Sequence, residues 1–355
     1  MPAPAAPPAA PPARPRPAAA PRSSTRRRAA WLLAAAALLL LAALLSLAVG
    51  SRAIPPGDVL NALFHGGSSN DALVVRSLRL PRTVVGLVVG ASLAMAGTVM
   101  QGITRNPIAE PGILGVSQGA AAGVVLAISA FGIGSLVGYV WFGFAGAVLA
   151  ALLVYGLAGR GRAASTTPVR LALAGSAFSA FVASLITAVL TTQSATLDRF
   201  RFWQVGALGS ATGEVAWQLL PFLLVGAVLV FSVAGGLDAL ALGEDAARSL
   251  GRRVGGVRAV GALGATVLTG ASVAAAGPIA FVGLAVPHAA RALVGASHRW
   301  VLAMSALLGP SLLLLADVAG RVLFPPSEVP AGVMTALIGV PVLVFLVRRR
   351  AVVAS

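Results

Sequence analysis

The sequence contains no cysteine and no lysine, and only 10% of its 355 residues are charged. Without cysteine there are no disulfides, no thiolate metal sites and no thiol chemistry. The low charge, beside a hydrophobic content of 58% and a mean hydropathy of +0.92, is not that of an ordinary soluble domain. No Walker-type glycine pattern occurs, so the chain is not expected to hydrolyse ATP by itself.

Long apolar runs recur along the whole chain. Most are about 18–25 residues long, the length that a helix needs to cross a hydrocarbon core about 30 Å thick. They predict an all-α integral membrane protein with about ten transmembrane helices. The predicted spans are residues 31–49, 83–104, 112–130, 136–158, 169–192, 215–236, 257–275, 278–294, 300–322 and 331–347.

The formal net charge of +16 comes from arginine alone as the basic residue. Most arginines lie in tails or loops beside apolar runs, which is the positive-inside pattern and not a nucleic-acid-binding stripe. With ten spans, 19 arginines fall on the side that holds both termini and 7 on the other. We therefore expect a multi-pass protein of the cytoplasmic membrane with both termini in the cytoplasm and no nucleic-acid partner.

The residues that flank the first predicted span indicate whether the N-terminal segment is cleaved. Residues 1–30 are rich in Pro, Ala and Arg and are expected to form a disordered cytoplasmic tail before a transmembrane domain at 31–350. Ala48, Val49 and Gly50 resemble a signal-peptidase site, so a cleaved signal peptide is one alternative. The run is long for a signal peptide and many spans follow, which favours an uncleaved first span.

A charged island, residues 242–254, separates two long apolar runs. Glu244 and Asp245 would occupy the first turn of a short helix and Arg248 its last turn, as the helix dipole favours. Gly251 is placed to end that helix at the C′ position. The island is either a solvated loop between spans or a docking site for a soluble cytoplasmic partner, and composition alone leaves both open.

The segment 79–120 combines small residues with polar ones. Gly115, Gly119 and Gly123 form a strip at helical spacing, which predicts close helix packing. Gln101, Asn106 and Gln118 are expected near membrane depth, with hydrogen-bond partners on neighbouring helices or on the backbone. Asn106-Pro107 and Glu110-Pro111 break the helix at a turn on the cytoplasmic side. From the residues alone, this polar lining is as consistent with structure as with function.

Taken together, several ordered motifs resemble the iron–siderophore and cobalamin (FecCD-type) permease family of ABC importers. The first is RLPR followed by a glycine-rich span, Gln, Asn-Pro, Ala-Glu-Pro and GVSQGA, within residues 79–120. The others are GPIAFVGLAVPHAARALVGASHRW at 277–300, and 316–347, which contains Asp317, Arg321 and Glu328. The resemblance covers roughly residues 50–350.

The resemblance implies a type II ABC-importer permease. Its expected partners are a second permease subunit (identical or paralogous), two cytoplasmic ATPase subunits, an extracytoplasmic substrate-binding protein and membrane lipid. ATP would be bound by the ATPases, so no cofactor is expected in this chain. The island, within a segment 238–256, then resembles the coupling loop that docks on the ATPase. The coupling residues that it implies are Gly243, Glu244, Asp245, Ala246, Ala247, Leu250 and Gly251.

The resemblance also implies docking and gate residues. Arg79, Arg82 and Arg321 match family positions that form salt bridges to the binding protein, and simple interfacial anchoring is the alternative. Thr166 and Thr167 match a cytoplasmic gate, although Pro168 and Val169 interrupt the family's run of small hydroxyl residues. Two further candidates, at the pore mouth, are Arg199 and Arg201.

The remaining motif residues are expected to be structural. Three scattered histidines do not make a metal site, so His288 is expected to pack and form hydrogen bonds. Asp317 is expected to be neutralised by Arg321, four residues on, and proton transfer is the alternative. The structural set comprises Gln101, Asn106, Pro107, Pro111, Gly115, Gly119, Pro287, His288, Arg291 and Asp317.

The sequence thus predicts a permease subunit that imports an iron chelate, most simply a ferric siderophore. Cobalamin and haem remain alternatives within the family, because selectivity would reside in the binding protein. An ion-coupled secondary transporter would need midplane carboxylates, for which Asp317 is the one candidate. An intramembrane enzyme would need a nucleophile–base or metal constellation, and the sequence offers none.

Overall fold

A computed structural model describes residues 25–50, 52–67, 69–159, 168–209, 212–324 and 327–353. These residues form fifteen α-helices and, apart from one isolated bridge between Phe324 and Ser327, no β-structure. The helices are α1 Thr25–Ala48, α2 Pro56–Phe64, α3 Asn70–Leu73, α4 Leu80–Thr104, α5 Val116–Phe131, α6 Leu136–Ala158, α7 Pro168–Thr192, α8 Ser194–Gln204, α9 Gly213–Ser232, α10 Ala234–Ala241, α11 Glu244–Ser249, α12 Val254–Ala276, α13 Val282–Val294, α14 His298–Leu323 and α15 Ala331–Val353.

The prediction of an all-α membrane protein with about ten spans is confirmed. Within the described residues, seven helices are long and apolar enough to cross a membrane, and three shorter apolar helices accompany them. Each of the ten corresponds to one predicted span. The shorter helices are α5, α13 and the first part of α15. Span boundaries agree within a few residues in most cases, because apolar length is set by the thickness of the bilayer.

The largest differences lie outside the spans. The polar stretch after α1 contains α2 and α3, and a π-helical turn at 74–79 joins α3 to α4. Residues 25–30, expected within a disordered tail, are helical and belong to α1, whereas residues 1–24 lie outside the described part. A separate helix, α8, follows α7, and α10 lies between α9 and the island.

Helices α4 and α12 form the centre of the bundle. Most of their residues are buried, and the two helices pack against each other and against α9. Gly and Ala make up 12 of the 23 residues of α12 and 7 of the 25 residues of α4, and these small residues let neighbouring backbones approach closely. The outer helices α6, α7 and α9 instead expose large apolar side chains, including Leu152, Phe181 and Val228.

The predicted close packing of α5 is confirmed at Gly119. A Cβ added there would lie 2.4 Å from the carbonyl oxygen of Gly146 on α6. Gly123, one turn later, faces the carbonyl oxygen of Phe142 in the same way, at 2.1 Å. Glycine at these positions is therefore required by backbone contact between two helices.

Candidate coupling helix and ion-pair cluster

The charged island folds into the short helix that its sequence predicts. Glu244 and Asp245 lie in the first turn of α11 and Arg248 in its last. Gly251 follows the C-cap residue Leu250 with φ of +74°, so the predicted glycine stop is confirmed. At the other end, Gly243 has φ of +111°. The helix is thus bounded on both sides by glycines in conformations that other residues rarely adopt.

The predicted coupling residues divide between the two faces of α11. Ala247 is fully buried against the bundle, whereas the Asp245 side chain is fully exposed. Leu250 is 62% exposed, and Leu242, just before the helix, is 71% exposed. The exposed surface at α11 therefore combines two apolar side chains with the charged groups of the helix.

Glu244 turns toward the bundle. Its Oε1 accepts a hydrogen bond of 2.5 Å from Nη2 of Arg258, a buried residue in the second turn of α12. Its Oε2 lies 3.3 Å from Nη2 of Arg248 on the exposed side of α11. The hydrogen bond from Arg258, which outweighs partial burial, lowers the pKa of Glu244 below its ordinary value.

A second contact fixes the segment that precedes α11. Asp238 on α10 accepts hydrogen bonds from the backbone N–H of His298, at 2.7 Å, and from Ser297 Oγ, at 3.3 Å. The Nδ1 atom of His298 lies 2.8 Å from the same carboxylate. Gly102 of α4 leaves room for the imidazole, because a Cβ there would lie 2.7 Å from Nε2. Asp238 therefore ties α10 to the start of α14.

An ion-pair cluster lies at the opposite end of the bundle. Asp317 follows His298 by 19 residues on α14, which corresponds to about 29 Å of helix. The Asp317 carboxylate is fully buried and accepts hydrogen bonds from Arg82, from Nη2 at 2.8 Å and from Nε at 3.0 Å. Nη1 of the same arginine donates to Glu328 at 2.7 Å. We call Arg79, Arg82, Asp317, Arg321 and Glu328 the Asp317 cluster.

The predicted pairing of Asp317 with Arg321 is confirmed as an ion pair, with Arg321 Nε 3.2 Å from Oδ2. That Nε atom nevertheless makes no hydrogen bond, since its geometry is poor. The stronger partner is Arg82, which sequence reasoning did not assign to Asp317.

The three arginines expected to dock a binding protein lie together, but their side chains are engaged within the chain. Arg79 is 6% exposed and donates to the carbonyl oxygens of Leu47 and Arg52. Arg321 is 2% exposed and donates to the carbonyl oxygen of Ser46 at 3.0 Å. A cavity of about 270 Å³ is lined by both arginines together with Arg82 and Glu328. The docking role stays a prediction, and this cavity is where a partner's side chain would reach the three guanidinium groups.

The polar motif residues of α4 and α13 contact one another. Gln101 donates Nε2 to the carbonyl oxygen of Gly283 at 3.2 Å and accepts a hydrogen bond from Arg291. His288 is buried, with Nδ1 3.0 Å from the carbonyl oxygen of Leu284. The expectation that Gln101 and His288 form internal hydrogen bonds is confirmed. Pro287 is buried inside the same short helix.

The connection from α4 to α5 is more structured than a simple turn. Asn106 is exposed and its Oδ1 accepts from the backbone N–H of Ile108 at 3.1 Å, within the Asn-Pro107 turn. Pro111 begins a 3-10 turn at 111–114, and Gly115, with φ of +71°, ends it. Asn106 therefore organises its own turn through a backbone partner, which is one of the two kinds of partner that the sequence predicted.

The pore candidates are only partly described. Thr166 and Thr167 lie outside the described residues, so the gate prediction rests on the sequence alone. Arg199 and Arg201 are exposed on α8. Arg201 lies 3.3 Å from Asp198 and stacks over the Phe202 ring at 5.0 Å.

Sequence reasoning missed three residues of these sites: Arg258, Asp238 and the role of Glu328 as a partner of Arg82. One signal was present for Arg258, since it follows the island by four residues and is the last charge before an apolar run. Asp238 is the one charged residue between the end of α9 and the island. Neither position reveals its partner, because each partner lies on a separately positioned helix.

Comparisons with known proteins agree with this arrangement. The FecCD transport family matches residues 38–349. The ferric enterobactin transport system permease protein FepD of Escherichia coli (strain K12) is 43% identical over 307 residues, which cover 86% of this chain and 91% of FepD. The iron(3+)-hydroxamate import system permease protein FhuB of Bacillus subtilis (strain 168) is 42% identical over 306 residues, covering 86% of this chain and 79% of FhuB.

A solved structure gives the same result for the fold. An inward-facing conformation of a proposed metal-chelate type ABC transporter superposes with a TM-score of 0.79 at 30% identity, covering 90% of this chain and 98% of that one. The region matched by the FecCD transport family, residues 38–349, contains α11 and the Asp317 cluster. This chain is therefore a membrane-spanning member of the FecCD transport family.

Proposed function

We propose that this chain is the permease subunit of an ATP-driven importer for ferric chelates, with ferric siderophores as the substrate class. The observation that carries the proposal is the 43% identity to a ferric enterobactin permease over 86% of the chain. Relatives for iron(3+)-hydroxamate and Fe(3+)-citrate, each at least 40% identical, support the iron-chelate class over one particular chelate.

In this proposal a separate ATPase docks on α11. A six-residue helix that exposes Asp245 and Arg248 and is flanked by two exposed leucines contributes little to the bundle itself. Its exposed leucines match what an interface core needs, and its charges match an interface rim. The arginine distribution supports a cytoplasmic location for this end of the bundle, where ATP is available.

The opposite end would receive an extracytoplasmic binding protein at the Asp317 cluster. The chelate would then pass between two permease subunits. The apolar face of α7, with Leu173, Phe181 and Leu185 exposed, supports a lipid or subunit contact there. The second subunit is either a second copy of this chain or a paralogous permease.

The test is purification from native membranes in gentle detergent with a tag on this chain. We expect a stoichiometric ATP-binding subunit, and we expect a variant with Leu242 and Leu250 changed to Ser to lose it while still inserting in the membrane. The matched control changes Leu152 and Leu157, exposed on α6, to Ala. Recovery of the chain alone, from membranes that import iron through it, would contradict the proposal.

The substrate class is tested with the purified complex in proteoliposomes. Iron-55 carried by a hydroxamate, a catecholate and citrate is compared with cobalamin and haem. Uptake of cobalamin or haem in preference to all three iron chelates would contradict the proposed substrate class.

A further inference from the structure

The first two residues of α11 face opposite directions. The Asp245 side chain is fully exposed, whereas the Glu244 side chain is 29% exposed and points at α12. There it meets Arg258, whose side chain is 6% exposed. A glutamate needed only for solubility or for the partner's surface would face outward as its neighbour does.

Glu244 interacts with two arginines of unequal environment. The contact with Arg248 is 3.3 Å long and that arginine is 58% exposed, so solvent screens it. The contact with Arg258 is 2.5 Å long and buried on the arginine side. In the described part of the chain, no other carboxylate lies within ion-pair distance of Arg258. Loss of Glu244 would leave a buried guanidinium without its counter-charge, which is the costly case.

The backbone at both ends of α11 is a glycine with positive φ. A Cβ added at Gly243 or Gly251 would meet nothing within 4 Å, so the space beside each glycine is open, and each N–H donates to a carbonyl oxygen three residues earlier. Residues of this kind absorb large changes in backbone angle. Joined to the bundle by two such glycines and the buried Ala247, α11 would rotate under load unless a side-chain contact held it.

Arg258 lies on α12, which extends into the middle of the helical bundle. Helix α12 packs against α4, α9 and α6, and most of its residues are buried. Its C-terminal end leads through Gly277 to Phe281, which lies against Gly339 of α15. A displacement of α12 therefore acts on the central helix α4 and, through the loop, on the last helix.

We propose that Arg258 is a positioning residue that fixes α11 to α12 through Glu244, so that movement of α11 by a docked ATPase displaces α12. This inference rests on the proposed function, since it requires an ATPase on α11. The role of Arg258 differs from docking itself. Arg258 is buried and contacts the side of α11 that faces the bundle, whereas the proposed docking face is the exposed side of α11.

The experiment measures chelate uptake per ATP hydrolysed in proteoliposomes containing the full complex. Variant R258Q should retain the ATPase subunit and hydrolyse ATP, while uptake per ATP falls about tenfold, within the 5- to 150-fold range of energetic coupling between sites. R258K, which keeps the charge but not the fork of donors, should fall between R258Q and the parent. The charge exchange E244R with R258E should recover at least part of the loss.

The control is R52Q, which breaks an exposed ion pair outside the coupling region. The Arg52 side chain is 72% exposed and lies 3.5 Å from Asp71. R52Q should leave uptake per ATP unchanged. If R258Q does not insert into membranes, E244Q removes the same contact from the partly exposed side and is read in the same way.

Three results would overturn the inference. Uptake per ATP within twofold of the parent in R258Q and E244Q would show that the contact transmits nothing. Loss of the ATPase subunit from R258Q would mean that Arg258 supports docking alone. An equal loss in the exchanged variant and the single variants would point to packing. Absence of an ATPase subunit from the parent complex is a separate outcome, which contradicts the proposed function itself.

Discussion

Arg82 and Asp317 are 235 residues apart in sequence and form a bidentate ion pair. The pair joins α4, at the centre of the bundle, to the far end of α14. Arg321 and Glu328 complete the charge balance around it, at 3.2 and 2.7 Å. A buried ionic group of this kind fixes the relative position of two helices, because either helix can move only by leaving a charge unpaired.

Replacing the central carboxylate should therefore destabilise the protein strongly. D317N removes the carboxylate shared by Arg82 and Arg321. Arg82 keeps Glu328, but Arg321, which is 2% exposed, is left without an ion-pair partner among the described residues, at a cost of about 3–5 kcal/mol. E328Q should cost about 1 kcal/mol or less, because the Glu328 side chain is 40% exposed. Thermal unfolding of the two detergent-purified variants checks the order. Equal midpoints for D317N and E328Q would contradict the assignment.

Acid should release α11 from α12 only well below neutral pH. The folded-state pKa of Glu244 is lowered, so its contribution to stability is complete above the unfolded pKa and is lost as the pH falls through the lowered folded value. The coupling helix should therefore stay in place throughout neutral and mildly acidic pH.

A fluorophore on S249C measures this release, since the chain has no other cysteine to label. Its anisotropy should drop at acid pH in the parent, whereas in E244Q it should be low at every pH. An anisotropy change centred near neutral pH in the parent would implicate a histidine instead.

The contact between α5 and α6 should not tolerate a single added methyl group. G119A places a Cβ against the carbonyl oxygen of Gly146, and backbone cannot move aside as a side chain does. We expect a loss of about 1–3 kcal/mol from overpacking. The control G156A, on α6 where an added Cβ meets nothing within 4 Å, should be neutral or slightly stabilising, since Ala is the better helix former. Thermal midpoints that agree within error would contradict the close approach.

The link between α10 and α14 depends on Asp238. D238A removes the acceptor for the backbone N–H of His298 and should cost about 1–2 kcal/mol, as the loss of a helix cap does. D198A breaks an exposed pair on α8 and serves as the control. Hydrogen exchange of residues 298–301 should quicken in D238A alone. Unchanged exchange there would mean that the cap does not hold the start of α14.

The spans were predictable because each follows from the local amino-acid composition and from the thickness of the bilayer. Helix α11 was predictable for a related reason: Glu244, Arg248 and Gly251 lie within eight residues and carry their own start and stop signals. The pairing of Asp317 with Arg321 was accessible through helical spacing.

The remaining contacts depend on how helices pack. Nothing local to Arg82 shows that Asp317 will lie beside it, and the i,i+4 rule favoured Arg321 instead. The inward turn of Glu244 depends on where α12 begins relative to α11. The arginines expected on a free surface are largely buried for the same reason: α1 contributes the carbonyl oxygens of Ser46 and Leu47 that receive Arg321 and Arg79.

The most direct test of the account is ATP dependence of transport. The complex purified through this chain is reconstituted in proteoliposomes with its binding protein, and uptake of iron-55 hydroxamate or catecholate chelate is followed with ATP or a non-hydrolysable analogue on the α11 side. The account predicts uptake with ATP and none with the analogue. It also predicts that uptake is lost when Leu242 and Leu250 are changed to Ser. Equal uptake with the analogue, or uptake driven by a proton or sodium gradient without ATP, would contradict it.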